Sequence, residues 1–82
     1  MTATKLEIIM WLEKARAQGA THLIIACDRY NYDNYPIYVT AKEDVRKEIR
    51  RIIRQNMQSI DEVYDMSMSL EEQLNEHRAV HF

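Results

Sequence analysis

The sequence predicts an α+β domain of order αββαβα, with helices packed on one face of a three-stranded mixed or antiparallel sheet. Three observations predict it. A hydroxyl residue stands three positions before a glutamate at Thr4–Glu7, Thr40–Glu43 and Ser69–Glu72, each time just ahead of a helical apolar pattern. In such a capping box the hydroxyl accepts from a free backbone N–H, while the glutamate reaches back to the cap's own N–H. Residues 21–27, Thr-His-Leu-Ile-Ile-Ala-Cys, are almost continuously apolar, as in a central strand with both faces covered. Ile60, Tyr64 and Met66 alternate with Asp61 and Asp65, as in a half-exposed strand.

The first helix is expected from Lys5 to Gln18, closed by Gly19, the only glycine in the chain. Ile8, Leu12 and Ala15 form its core stripe, widened by Ile9 and Trp11. Residues 21–27 follow as the central strand, and Tyr35–Val39 as its antiparallel partner, with Pro36 tolerable at a strand start or on an edge. Residues 28–34 join the two in a loop in which Asn and Asp supply the local hydrogen bonds. The second helix is expected from Ala41 to Gln55, where Val45, Ile49, Ile52 and Ile53 repeat at the spacing of a core-facing stripe. Met57, Ile60, Val63 and Tyr64 also fit a helical face. The strand reading of this segment is preferred, because Asn56 can stop the second helix and a third strand lets a small sheet bury one face. The third helix starts at Leu70, with Leu74 and His77 on one side, and frays before Phe82.

Eighty-two residues make one domain, 1–82, with a small core and modest stability. The single Cys27 excludes an internal disulfide and no Cys/His cluster resembles a zinc site, so self-association into a dimer or higher oligomer is the remaining source of stability. A lone thiol without a signal peptide points to a reducing cytosol, and no segment is long and apolar enough to span a membrane. The formal charge is −2, yet six bases lie between Lys42 and Arg54 and six acids, with no base, between Asp61 and Glu76. Faces of opposite sign can steer partners or meet across a subunit boundary.

Four of the five tyrosines fall between Tyr30 and Tyr38, interleaved with Asp and Asn. Tyrosine offers a large contact area with two torsions to freeze and a hydroxyl that tolerates water. Asp28, Tyr30, Tyr32, Asp33 and Tyr35 are therefore the expected partner-binding residues, with Asn34 beside them. In the second helix, Arg46, Arg50 and Arg54 are the candidates for holding phosphates of a nucleotide, with Lys47 and Arg51 nearby. Cys27 has Arg29 close in sequence but no histidine to act as base, and reads as a buried inert thiol. His77 and His81 would share a helical face, but at a chain end, and no metal is expected. His22 reads as packing or surface, and the five methionines as gap-fillers of the core. With no glycine-rich phosphate loop and no nucleophile–base arrangement, neither a cofactor nor enzymatic activity is expected.

Gly19-Ala-Thr-His-Leu-Ile-Ile-Ala-Cys-Asp28 and Tyr35-Pro-Ile-Tyr-Val39 resemble small proteins found in bacteriophage and prophage genomes, as do Asn56-Met-Gln58, Glu62-Val-Tyr-Asp65 and Gln73-Leu-Asn-Glu76. The resemblance covers residues 19–82 and carries no catalytic or binding residues with it. It implies a phage-type accessory protein in the cytosol of a bacterial host, disabling a host defence by docking on a protein or sequestering a nucleotide. The expected function is thus a non-enzymatic binding or inhibitor protein acting on a host protein or complex through the Tyr/Asp loop, with the acids from Asp61 to Glu76 as a possible second face. The alternatives are an oligomer that sequesters nucleotides with Arg46, Arg50, Arg54 and stacked tyrosines, and a structural or regulatory homodimer.

Overall fold

The computed structural model describes residues 3–82. Helix α1 spans Lys5–Ala17, strands β1 and β2 span His22–Asp28 and Asp33–Val39, helix α2 Val45–Arg54, strand β3 Gln58–Asp65 and helix α3 Leu70–Leu74. The order αββαβα and the α+β class are as the sequence predicts, and Ile60–Asp65 is strand. The sheet is antiparallel in the order β2-β1-β3, which puts the apolar segment in the centre.

Local chemistry sets the element ends. At α1 the Glu7 N–H donates to the Thr4 hydroxyl and the Thr4 N–H to the Glu7 carboxylate, each at 3.2 Å, completing the capping box. Gly19, at φ 69°, supplies the left-handed residue beyond the helix. The second box behaves differently. Glu43 accepts from the Thr40 N–H at 3.0 Å and the Thr40 hydroxyl at 2.9 Å, but its own N–H goes to the Thr40 carbonyl. The Thr40 hydroxyl therefore donates instead of capping, and residues 40–43 close a turn. Asp44 takes the cap, accepting from the Arg46 N–H at 2.9 Å, so α2 begins at Val45 and not at Ala41. Ser69 caps α3 through the Glu72 N–H, but this helix ends at Leu74 and leaves His77 outside it.

One expectation is corrected. The helices do not pack on one face of the sheet but on both. Leu23, Ile25 and Tyr64 form one cluster with Ile8, Leu12 and Ala15 of α1, joined by Leu70 and Leu74 of α3. Ile24, Ala26, Val39 and Val63 form the other, with Ile52 of α2 buried on it and Val45 and Ile49 beside it. The physical reason lies in β1 itself. Leu23 through Cys27 are all buried, and successive side chains point to opposite faces, so one helical layer would leave half of them wet.

The two sheet edges are protected differently. Pro36 lies in the middle of β2, an outer strand, where its missing N–H weakens the edge as a template for further pairing. Along the outer side of β3, Val63 bonds to Ala79 and His81 of the C-terminal tail at 2.9 Å each, and the Arg78 guanidinium donates to the Ile60 carbonyl at 2.8 Å. Gln73, only 1% exposed, finishes the job at the strand end. Its side-chain oxygen accepts from the Asp65 N–H at 2.8 Å, and its amide donates to the Asp65 and Ser69 carbonyls at 2.9 and 3.2 Å. One side chain thus replaces a missing strand and ties α3 to the sheet. Gln73→Ala should lower stability by about 1–3 kcal/mol by orphaning the Asp65 N–H and leaving the Asp65 carbonyl with the Met68 N–H alone. The neighbouring exposed Glu72→Ala should cost under about 0.5 kcal/mol, both read from thermal unfolding.

Candidate functional site

The β1–β2 connection is a turn, residues 29–32, at the carboxyl end of the central strand. Asp28 begins it by accepting the Tyr30 N–H at 3.0 Å, and Asn31 accepts the Asp33 N–H at 3.0 Å. Tyr32 sits at φ 59°, a left-handed conformation that costs a non-glycine residue roughly 1 kcal/mol. The turn is braced from the side, because the Arg29 N–H donates to the Met57 carbonyl at 2.7 Å. Above this fixed backbone the rings of Tyr30 and Tyr32 are 70% and 66% exposed.

The five residues expected to form the contact patch divide into three groups. Tyr30 and Tyr32 stand at the tip, with Asp33 exposed beside them. Asp28 is half-buried and shapes the turn. Tyr35 lies below the tip: it is half-buried against the α2-side cluster, its hydroxyl donates to the Gln58 side chain, and burial raises its pKa. Asn34 is likewise internal. Its amide donates to the Ala26 carbonyl at 3.1 Å and the Asp61 carboxylate at 2.8 Å, across the point where the β1–β3 register shifts.

Helix α2 stands next to the tip. Asn56, two residues beyond its last residue Arg54, donates to the Tyr30 hydroxyl at 3.4 Å. The buried side of the helix carries Ile52, so at 3.6 residues per turn Arg46, Lys47, Arg50, Arg51 and Arg54 share about 140° of the outward surface. Lys47, Arg50, Arg51 and Arg54 line an open groove along it. Arg51 pairs with Glu48 at 2.8 Å, which raises its pKa. Among the described residues no carboxylate lies within ion-pairing distance of Lys47, Arg50 or Arg54. Arg46, on the same face, lies with its guanidinium 5.1 Å above the centroid of the Phe82 ring, while Lys47 and Arg51 join Arg50 and Arg54 along the groove.

Four acids of the second half make contacts within the fold. Asp61 accepts from Asn34, Glu62 from the Tyr64 hydroxyl and the Ala79 N–H, Asp65 from Ser67, and Glu76 meets His81 at 2.8 Å. Glu71 and Glu72 remain exposed in the first turn of α3. These carboxylates hold the C-terminal tail and loops in place. His77 and His81 do not share a helical face, since α3 stops before both. Of the methionines, Met66 fills the core as expected, Met10, Met57 and Met68 are exposed, and Met1 lies outside the described residues. No helix among the described residues is long and apolar enough to cross a membrane.

Cys27 is buried, and desolvation, reinforced by the charges of Asp61 and Asp28, pushes its thiol pKa up against the opposing influence of Ser59 and Arg29. A thiolate is disfavoured there, as the inert reading expects. No protein-family model, curated protein or solved structure matches the chain.

Two outcomes follow from these environments. In the native state Cys27 should resist an aromatic disulfide reagent at about pH 8 and react at once when the chain is unfolded by denaturant. Asp65 is held below its ordinary value of 3.8 by the Ser67 hydroxyl and N–H, then by His22 and His81. A lowered carboxyl stabilises the fold while ionised, and that gain disappears as pH falls through the folded value. Denaturant midpoints should therefore fall more steeply below about pH 4 in the natural chain than in Asp65→Asn.

Proposed function

We propose that the protein is a non-enzymatic docking protein of bacteriophage type that engages a host macromolecule or complex through its hairpin tip. The observation that carries this reading is the pair of solvent-exposed rings, Tyr30 and Tyr32, on a turn whose backbone is hydrogen-bonded on both sides. Large rigid side chains on a preorganised backbone lose little entropy on binding, the feature that concentrates affinity at an interface. Pro36 in β2 and the covered edge of β3 add support, because they disfavour docking by strand addition.

The non-enzymatic character rests on where the reactive groups lie. Cys27 is buried with a raised pKa, and Asp61, Glu62, Asp65 and Glu76 are engaged in holding the fold. The phage-type setting rests on the resemblance of residues 19–82 alone. Self-association and a reducing cytosol belong to the same proposal, the first from the small core of an 82-residue chain and the second from its lone thiol.

Capture from bacterial lysate by the tagged protein and by a Tyr30→Ala/Tyr32→Ala variant tests the reading. The natural chain should retain a partner that the variant loses, with the two melting temperatures unchanged. Identical capture by both removes the tip from the interface. A large drop in melting temperature would reassign the rings to the core.

A further inference from the structure

We propose that the surface the tip docks on is a single-stranded nucleic acid, its phosphates held along the α2 groove and its bases stacked on Tyr30 and Tyr32. This rests on the docking role of the tip and names the chemistry of the partner.

Charge comes first. Helix α2 carries five cations against one carboxylate, and that carboxylate, Glu48, is already paired with Arg51. Among the described residues no carboxylate lies within ion-pairing distance of Lys47, Arg50 or Arg54, and with Arg51 they line an open groove of about 460 Å3. From Lys47 to Arg54 the row extends about 10 Å at 1.5 Å per residue, enough to follow more than one phosphate. Arginine binds phosphate oxygens through paired N–H donors. The chain's net charge of −2 is unevenly spread, with six bases between Lys42 and Arg54 and six acids between Asp61 and Glu76.

Position comes second. The groove runs to the carboxyl end of α2, and Asn56, just past that end, touches the Tyr30 hydroxyl. Exposed aromatic rings at the end of a basic groove are the combination that binds single strands: cations track the backbone and rings take bases face to face. An acidic protein surface would also answer the charge. It leaves the flat rings without a matching partner. A duplex hides its base faces, so unpaired bases fit two tip rings better.

Fluorescence anisotropy of a labelled single-stranded oligothymidine tests the inference, with the same sequence as a duplex and a polyglutamate peptide as comparisons. The natural chain should prefer the single strand. Its affinity should fall roughly 20-fold between about 50 and 200 mM salt, for about three phosphates neutralised at a slope of about 0.7 each. Arg50→Gln/Arg54→Gln should weaken binding and flatten that slope, while Tyr30→Ala/Tyr32→Ala should weaken it roughly tenfold or more with the slope unchanged. All four positions are exposed, so unfolding curves should overlay those of the natural chain. Three results overturn the inference: no oligonucleotide binding at low salt, equal binding of duplex or polyglutamate, or indifference to the tyrosine substitutions. If lysate capture still depends on Tyr30 and Tyr32 while the oligonucleotide does not bind, the docking role stands and only the nucleic-acid partner is lost. If neither depends on them, both fall.

Discussion

Burial of β1 on both faces is the constraint from which the rest of the structure follows. Leu23, Ile24, Ile25, Ala26 and Cys27 are each removed from water, and alternation sends them to opposite sides of the sheet. At about 1.5–3 kcal/mol for each large aliphatic side chain fully buried, neither half can be left exposed in a domain with a net stability on the order of 5–15 kcal/mol. The chain answers with α1 and α3 on one face and α2 on the other. Because α2 alone covers its face, it turns only Ile52, Val45 and Ile49 inward and presents every cation outward.

The same arrangement determines where a partner can meet the protein. A three-stranded sheet has two outer edges, and here one carries Pro36 while the other is covered by Gln73, Arg78, Ala79 and His81. The tip of the hairpin and the basic helix beside it stay exposed. Four carboxylates of the second half bond to other groups of the fold, Glu62 to the Ala79 N–H of the segment along the β3 edge.

Part of the site was legible in the residues and part was not. Tyr30 and Tyr32 stood out because aromatic side chains among Asp and Asn mark a turn with no core to enter, and they are exposed. Tyr35 looked equivalent in sequence, but β2 begins at Asp33, and alternation from there turns Tyr35 toward α2. Arg46 looked equivalent to Arg50 and Arg54 at a four-residue spacing, and no local signal shows that Phe82, 36 positions later, lies under it. The Gln73 latch carried no signal either, because its partner is the backbone of Asp65.

The sequence by itself determined the αββαβα order, the central placement of β1, the α1 capping box and the exposed turn, because each depends on neighbours a few residues away. Periodicity, caps and turn residues act at that range. Only the tertiary structure decided which face each helix covers, and that the basic row and the tyrosines come together. Those outcomes depend on pairings across 20 residues or more, such as Asn34 with Asp61 at 27 positions and Tyr30 with Asn56 at 26. Local pattern does not encode which distant groups will meet once the central strand is covered.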